Sequence, residues 1–96
     1  MPKYKLTEHA KEEIIRRQIS LNMMEEVITN PQSIVPATNN RKCYQKVYTL
    51  ENQKKYLIRI ITEEKRGQLL IVTGYKTSKI GKYIKEESWK LPIIQN

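Results

Sequence analysis

Aspartate is absent from the sequence, and its 10 acidic residues are all glutamates, mostly set in the neighbouring pairs 12/13, 25/26, 63/64 and 86/87. Glutamate pairs without clustered aspartate disfavour two-metal nuclease or phosphatase chemistry. Cysteine and histidine occur once each, as Cys43 and His9. One cysteine excludes an internal disulfide and a cysteine-built zinc cluster, and with one histidine beside it no protein-only metal site is expected. Neither a metal nor a cofactor is therefore anticipated. Glycine is scarce too, with three copies, and there is no Gly-rich phosphate loop and no dinucleotide-binding fingerprint. Thr73-Gly74-Tyr75-Lys76-Thr77-Ser78-Lys79 looks like part of a phosphate loop but lacks its spacing. Long apolar runs are missing as well: Leu57 to Ile61 and Leu69 to Val72 are strand-sized, far below the roughly 18 to 20 residues of a spanning helix. The first residues carry charge but neither an apolar segment nor a small-residue cleavage site. A cytoplasmic protein with no membrane partner is expected.

What the chain has is cation. Its 96 residues hold 18 Lys and Arg, for a net charge of +8. A chain of this length buries about 60 to 65% of its unfolded surface, which supports one core, so a single domain over residues 1–96 is expected. The charge is uneven: residues 21–40 carry only two glutamates, whereas residues 41–66 carry eight cations against three glutamates. Five of the six tyrosines and Trp89 also lie from residue 41 onward. Cations neutralise phosphates and aromatic rings stack on unpaired bases, so this composition suits nucleic acid. The alternative is that strand tyrosines pack and strand lysines keep edges soluble.

The periodicity predicts two short helices and then strands. Thr7 is placed to cap a first helix with Leu6, Ala10 and Ile14 in one stripe, ending near Gln18. Ser20 caps a second, with Leu21, Met24, Val27 and Ile28 inward and Asn30-Pro31 as its stop. Ile34-Val35 is a short extended piece. Strands follow at Lys42 to Leu50, Lys55 to Thr62 and Gln68 to Tyr75, joined by polar turns short enough for an antiparallel meander. Ser78 to Lys85 carries a weak helical signal. Trp89 to Ile94 forms an apolar patch for the body or a partner, and a homodimer through it is one expectation. The expected fold is α+β: two N-terminal helices packed on an antiparallel three- to four-stranded sheet, with a short C-terminal helix.

Within that frame the residues suited to chemistry are cations, tyrosines and one imidazole. Metal-free RNA cleavage through the 2′-hydroxyl needs a base, an acid and cations that stabilise charge on the phosphate. His9, which titrates near neutrality when unperturbed, can act as base or acid, or it simply decorates the first helical turn. If one sheet face is open, Lys46, Arg59, Tyr75 and Lys76 can converge there, subject to strand register. Cys43 reads as a small strand residue with nothing nearby in sequence to activate it.

Leu6-Thr7-Glu8-His9-Ala10, Arg17-Gln18-Ile19-Ser20, Glu25-Glu26-Val27-Ile28 and Asn30-Pro31 together resemble the opening of a family of small uncharacterised prokaryotic domains. That family is similar to the RelE/ParE and BrnT toxins. Tyr44-Gln45-Lys46 and the segment from Leu70 to Lys79 resemble its strand pair and terminal Val-Thr-x-Tyr motif. The resemblance spans Leu6 to Tyr83 and implies a RelE-like fold, in which toxins cleave mRNA, usually on the ribosome, and are neutralised by a cognate antitoxin. His9 and Arg17 match helix positions of that family, and Tyr75 matches its last-strand aromatic. The chain departs from the pattern at Glu13, where a basic residue is usual, and at Gln18, where glycine is usual.

The expected activity is thus that of a metal-free endoribonuclease toxin. His9, Arg17, Lys46, Arg59 and Tyr75 are the catalytic candidates, and Arg16, Lys42, Tyr44, Lys76, Lys79 and Tyr83 are the RNA-binding ones. Its partners would be RNA and an antitoxin protein. A non-enzymatic nucleic-acid- or protein-binding module with the same basic surface, and a scaffold that oligomerises through residues 89–94, stand as alternatives.

Overall fold

The computed structural model describes residues 3–84. The Trp89 to Ile94 patch, and Lys85 at the end of the expected last helix, lie outside the described residues. The chain runs β1 (Tyr4–Leu6), α1 (Glu8–Arg16), α2 (Leu21–Thr29), β2 (Ser33–Pro36), β3 (Lys42–Thr49), β4 (Lys55–Lys65) and β5 (Gln68–Thr77), with single 3-10 turns at Thr38–Asn40 and Ile80–Lys82. No helix among the described residues is long and apolar enough to cross a membrane.

Both helix starts are made by the hydroxyls expected of them. Thr7 Oγ1 accepts from the Ala10 amide at 3.1 Å and Ser20 Oγ from the Met23 amide at 3.0 Å, each satisfying an amide that has no partner within its helix. Helix α1 stops because Gln18 turns left-handed, with φ of 62°. Its amide then bonds Ile15 O at 2.9 Å and the Ile19 amide bonds Ile14 O at 3.1 Å, the two bonds of a Schellman ending. That ending folds the chain straight into α2 and buries Ile19.

The sheet has five strands in the order β1-β5-β4-β3-β2. Four of them form the antiparallel meander, but β1 pairs parallel with β5, Tyr4 to Leu6 opposite Leu69 to Ile71. The expectation of a wholly antiparallel three- to four-stranded sheet is corrected to a mixed five-stranded one. Strand β1 is three residues long, too short to show an alternation, and its partner lies more than sixty positions away. The last helix expected from Ser78 to Lys85 is, within the described residues, the single 3-10 turn around Gly81, a residue that weakens any longer helix.

One face of the sheet carries both helices. There Ala10, Ile14, Ile19, Met24, Val27 and Ile28 pack on Ile58, Ile60 and Ile71. A smaller cluster of Leu57, Ile80 and Ile84, flanked by Val47 and Tyr83, lies on the other face. Strand β5 changes phase between the two. Ile61 pairs with Thr73 and Thr62 with Ile71, so Val72 is an extra residue, a β-bulge. Before the bulge Leu69 and Ile71 face the helices; after it Gly74 does, its close approach to Ile60 and Ile14 admitting a side chain only if Ile60 shifts. Strict alternation along Leu69, Ile71, Thr73 and Tyr75 would have sent Tyr75 into the main core. The bulge turns it to the opposite face.

Candidate functional site

Strand register assembles the site. Gln45 on β3, Arg59 on β4 and Tyr75 on β5 are direct neighbours across three strands, so their side chains share the face away from the helices. Arg59 Nε donates to Gln45 Oε1 at 2.9 Å, and Arg59 Nη1 donates to the Tyr75 hydroxyl. Gln45, 1% exposed, is itself fixed through Nε2 to Ser33 Oγ at 3.0 Å. The Arg59 guanidinium carbon lies 4.0 Å from the centroid of the Tyr83 ring, a cation–π stack presented by the turn that Ile80 and Ile84 anchor beside Leu57. Arg59 makes no ion pair with a carboxylate among the described residues, although four other Arg or Lys contacts with carboxylates are present there. A half-buried guanidinium held by an amide and phenols keeps its charge unneutralised and part of its donor fork unused.

The two phenols beside it are pushed in opposite directions. Burial raises Tyr75, and the neighbouring Tyr83 phenol adds to that against the lowering influence of Arg59. Tyr83 is brought below the ordinary tyrosine value, first by the neighbouring Tyr75 phenol and then by the nearby charges of Lys82 and Arg59. A pair of groups driven apart in this way is a common basis of acid–base assignment. Cys43, buried on the same face, has its thiol raised by desolvation and stays an inert packing residue.

A second cationic cluster sits at the end of α1. Arg17 Nη1 donates to the Gly74 carbonyl at 2.9 Å and to Thr73 Oγ1 at 3.3 Å, on the stretch of β5 that β1 leaves unpaired. Glu13 joins this arrangement, 3.2 Å from Arg17, 2.7 Å from Arg16 and 3.1 Å from the donating Thr73 hydroxyl. Thr73 first, then the two arginines, hold its carboxyl below the usual range. Arg16, Arg17, Gln18, Tyr75 and Lys76 line an open groove of about 430 Å³ here.

The remaining expected residues are dispersed. His9 is exposed on α1, its imidazole 4.0 Å from Glu13, on the helix side of the sheet and not against the Arg59 face. Lys46 and Lys76 flank Ile58 on the helix-bearing face. There Lys46 pairs with Glu26 at 3.5 Å and Lys76 reaches the Gln18 carbonyl at 3.4 Å. The expected convergence of Lys46, Arg59, Tyr75 and Lys76 on one face is therefore corrected: successive side chains along a strand point to opposite faces, and register puts Lys46 and Lys76 opposite Ile58 rather than Arg59. Lys42 and Tyr44 border a separate cavity of about 330 Å³ with Lys3, Thr62 and Glu64. Lys79 stands exposed before the 3-10 turn. Sequence reasoning missed Gln45, Ser33, Thr73 and the hub role of Glu13. A glutamine and an arginine directly opposite one another mark such a site, but only once register is known.

Among the described residues no group of three or more His, Cys and Glu side chains is placed to hold a metal ion. Residues 6–84 match the family model described as a domain of unknown function (DUF4258), and the chain belongs to that family. No curated protein and no solved structure matches the chain significantly.

Proposed function

We propose that this domain binds RNA and cleaves it without a metal, as the toxin of a toxin–antitoxin pair. The observation that supports the reading best is the Arg59 guanidinium, positioned by Gln45 and Tyr75, stacked on Tyr83 and unpaired with any carboxylate among the described residues. A scissile phosphate against Arg59 would receive charge-assisted hydrogen bonds that strengthen as negative charge builds on the phosphoryl oxygens. The 2′-hydroxyl attacks the adjacent phosphorus while its proton passes to a base, and the 5′-oxygen leaves with a proton from an acid. The products are a 2′,3′-cyclic phosphate and a 5′-hydroxyl. Tyr83, with its lowered pKa, is the base candidate and Tyr75, with its raised pKa, the acid. The resemblance of Leu6 to Tyr83 to a family of small domains similar to RelE-like and BrnT toxins leads to the same reading, with mRNA as substrate and an antitoxin as partner.

Expression in bacteria without a partner should arrest growth and leave cleaved mRNA, and purified protein should cut RNA in the presence of a chelator. Arg59→Met should abolish both effects and keep the circular-dichroism spectrum. Full cleavage by Arg59→Met, or no cleavage by the wild type, would sink the enzymatic reading. The position of His9 favours a second reading, a binding module without catalysis, because the Arg59 cluster then holds no group that ordinarily titrates near neutrality. Salt-sensitive RNA binding that needs Arg59 but yields no cut products would select it.

A further inference from the structure

We infer that a single RNA strand wraps the open edge of β5, with one phosphate at Arg59 and a neighbouring one in the groove between Arg16 and Lys76. The inference rests on the RNA-binding reading above. Tyr75 belongs to both places: its hydroxyl receives the Arg59 donor, and the residue borders the groove formed with Arg16, Arg17 and Lys76. Pairing by β1 ends at Ile71, so no strand among the described residues pairs with this edge from Thr73 onward, and the Arg17 side chain donates to the Gly74 carbonyl there. Tyr75 and Lys76 are successive residues and point to opposite faces. A backbone touching both sites must therefore pass across the edge rather than along one face.

The groove is built for an anion. Arg17 is fixed by Gly74, Thr73 and Glu13, which removes most of its rotamer freedom before any ligand arrives. Arg16 keeps its side chain 67% exposed while its head group is steered by Glu13, and Lys76 extends to the groove floor at Gln18. Two arginines share the Glu13 carboxylate and Lys76 adds a third cation to the groove, leaving net positive charge where the strand would cross. The edge is one strand thick, so a flexible single strand can fold over it and a stiff duplex cannot.

The test is binding of a short fluorescent single-stranded RNA by anisotropy across a salt series, with each phosphate contact contributing about 0.7 to the log–log slope. Arg16→Ala and Lys76→Ala should each lower the slope, and the pair together by about that amount, the share of the one groove phosphate. Lys54→Ala, in the exposed turn between β3 and β4, should leave it unchanged, and a duplex of the same sequence should compete poorly. Unaltered slopes in Arg16→Ala and Lys76→Ala, with binding still weakened by Arg59→Met, would overturn the wrapped path and leave RNA binding intact. An equal drop in Lys54→Ala, or full competition by the duplex, would overturn it as well. No binding by the wild type at low salt would remove the RNA reading itself.

Discussion

Glu13 faces four partners, the His9 imidazole, Arg16, Arg17 and the Thr73 hydroxyl. Its carboxylate therefore ties α1 to β5 as well as tempering the groove. With its folded pKa held below the ordinary 4.5, the ionised form contributes stability that is fully present above that value. The contribution is lost as pH falls through the depressed pKa. Urea midpoints should decline when pH is taken from neutrality to below 4.5, and Glu13→Gln should decline less. Equal declines would assign the acid sensitivity elsewhere, for instance to Glu26, which the Tyr48 hydrogen bond and then Lys46 likewise hold down. Where the family resemblance led to a basic residue at this position, the structure gives the glutamate a job: it orders two arginines that would otherwise repel each other.

Strand β5 carries most of the geometry that matters to the site. Gly74 lets α1 approach closely, since a methyl group there would come within 2.7 Å of Ile60 Cδ1 and 3.2 Å of Ile14 Cγ1. Gly74→Ala should destabilise by about 1 kcal/mol, the low end of overpacking because the nearest atom is a terminal methyl that can swing aside. Chemical denaturation measures it, and weaker RNA binding should accompany it as α1 lifts Arg17 from the edge. The place of the turn into β5 was readable from sequence but its length was not: β4 runs past the expected end at Thr62 to Lys65, and Arg66 and Gly67, with positive φ of 55° and 75°, join paired Lys65 and Gln68 as a two-residue turn. The capped helices were equally legible, because Thr7 and Ser20 act on amides three residues away. The Val72 bulge was not, since Leu69 to Val72 is apolar at every position and shows no alternation that a phase change could interrupt. Face assignment downstream of it, and hence the separation of Tyr75 from Lys76, depended on a partner strand that local pattern does not reveal.

At the scale of the molecule, the sheet is sandwiched unequally: a main core under the helices and a small one under the Ile80–Lys82 turn. The small one holds Tyr83 over Arg59, so packing and site chemistry are coupled on that side. Leu57 is 0% exposed, and Leu57→Ala should cost about 2–3 kcal/mol, the lower part of the range for leucine truncation, because so small a cluster collapses readily. It should also return the Tyr83 phenol toward the ordinary value of 10 in an ultraviolet titration, identified by comparison with Tyr83→Phe. Ile14→Ala, in the main core, should destabilise at least as much and leave that phenol where it is. Matching shifts in both variants would show that the turn responds to global loosening rather than to its own cluster.

The parallel pairing of Tyr4–Leu6 with Leu69–Ile71 also orders events in time. The β3–β4 and β4–β5 hairpins pair residues close in sequence and can zip locally, whereas β1 must close a loop of more than sixty residues, with the entropy cost that entails. During synthesis the first strand and its following helix leave the ribosome early and then wait, without a partner, until β5 has been made. Arg17 reaches Gly74 only at that late step. The cationic groove is consequently among the last features to form, and a nascent chain cannot present it before nearly the whole domain has emerged.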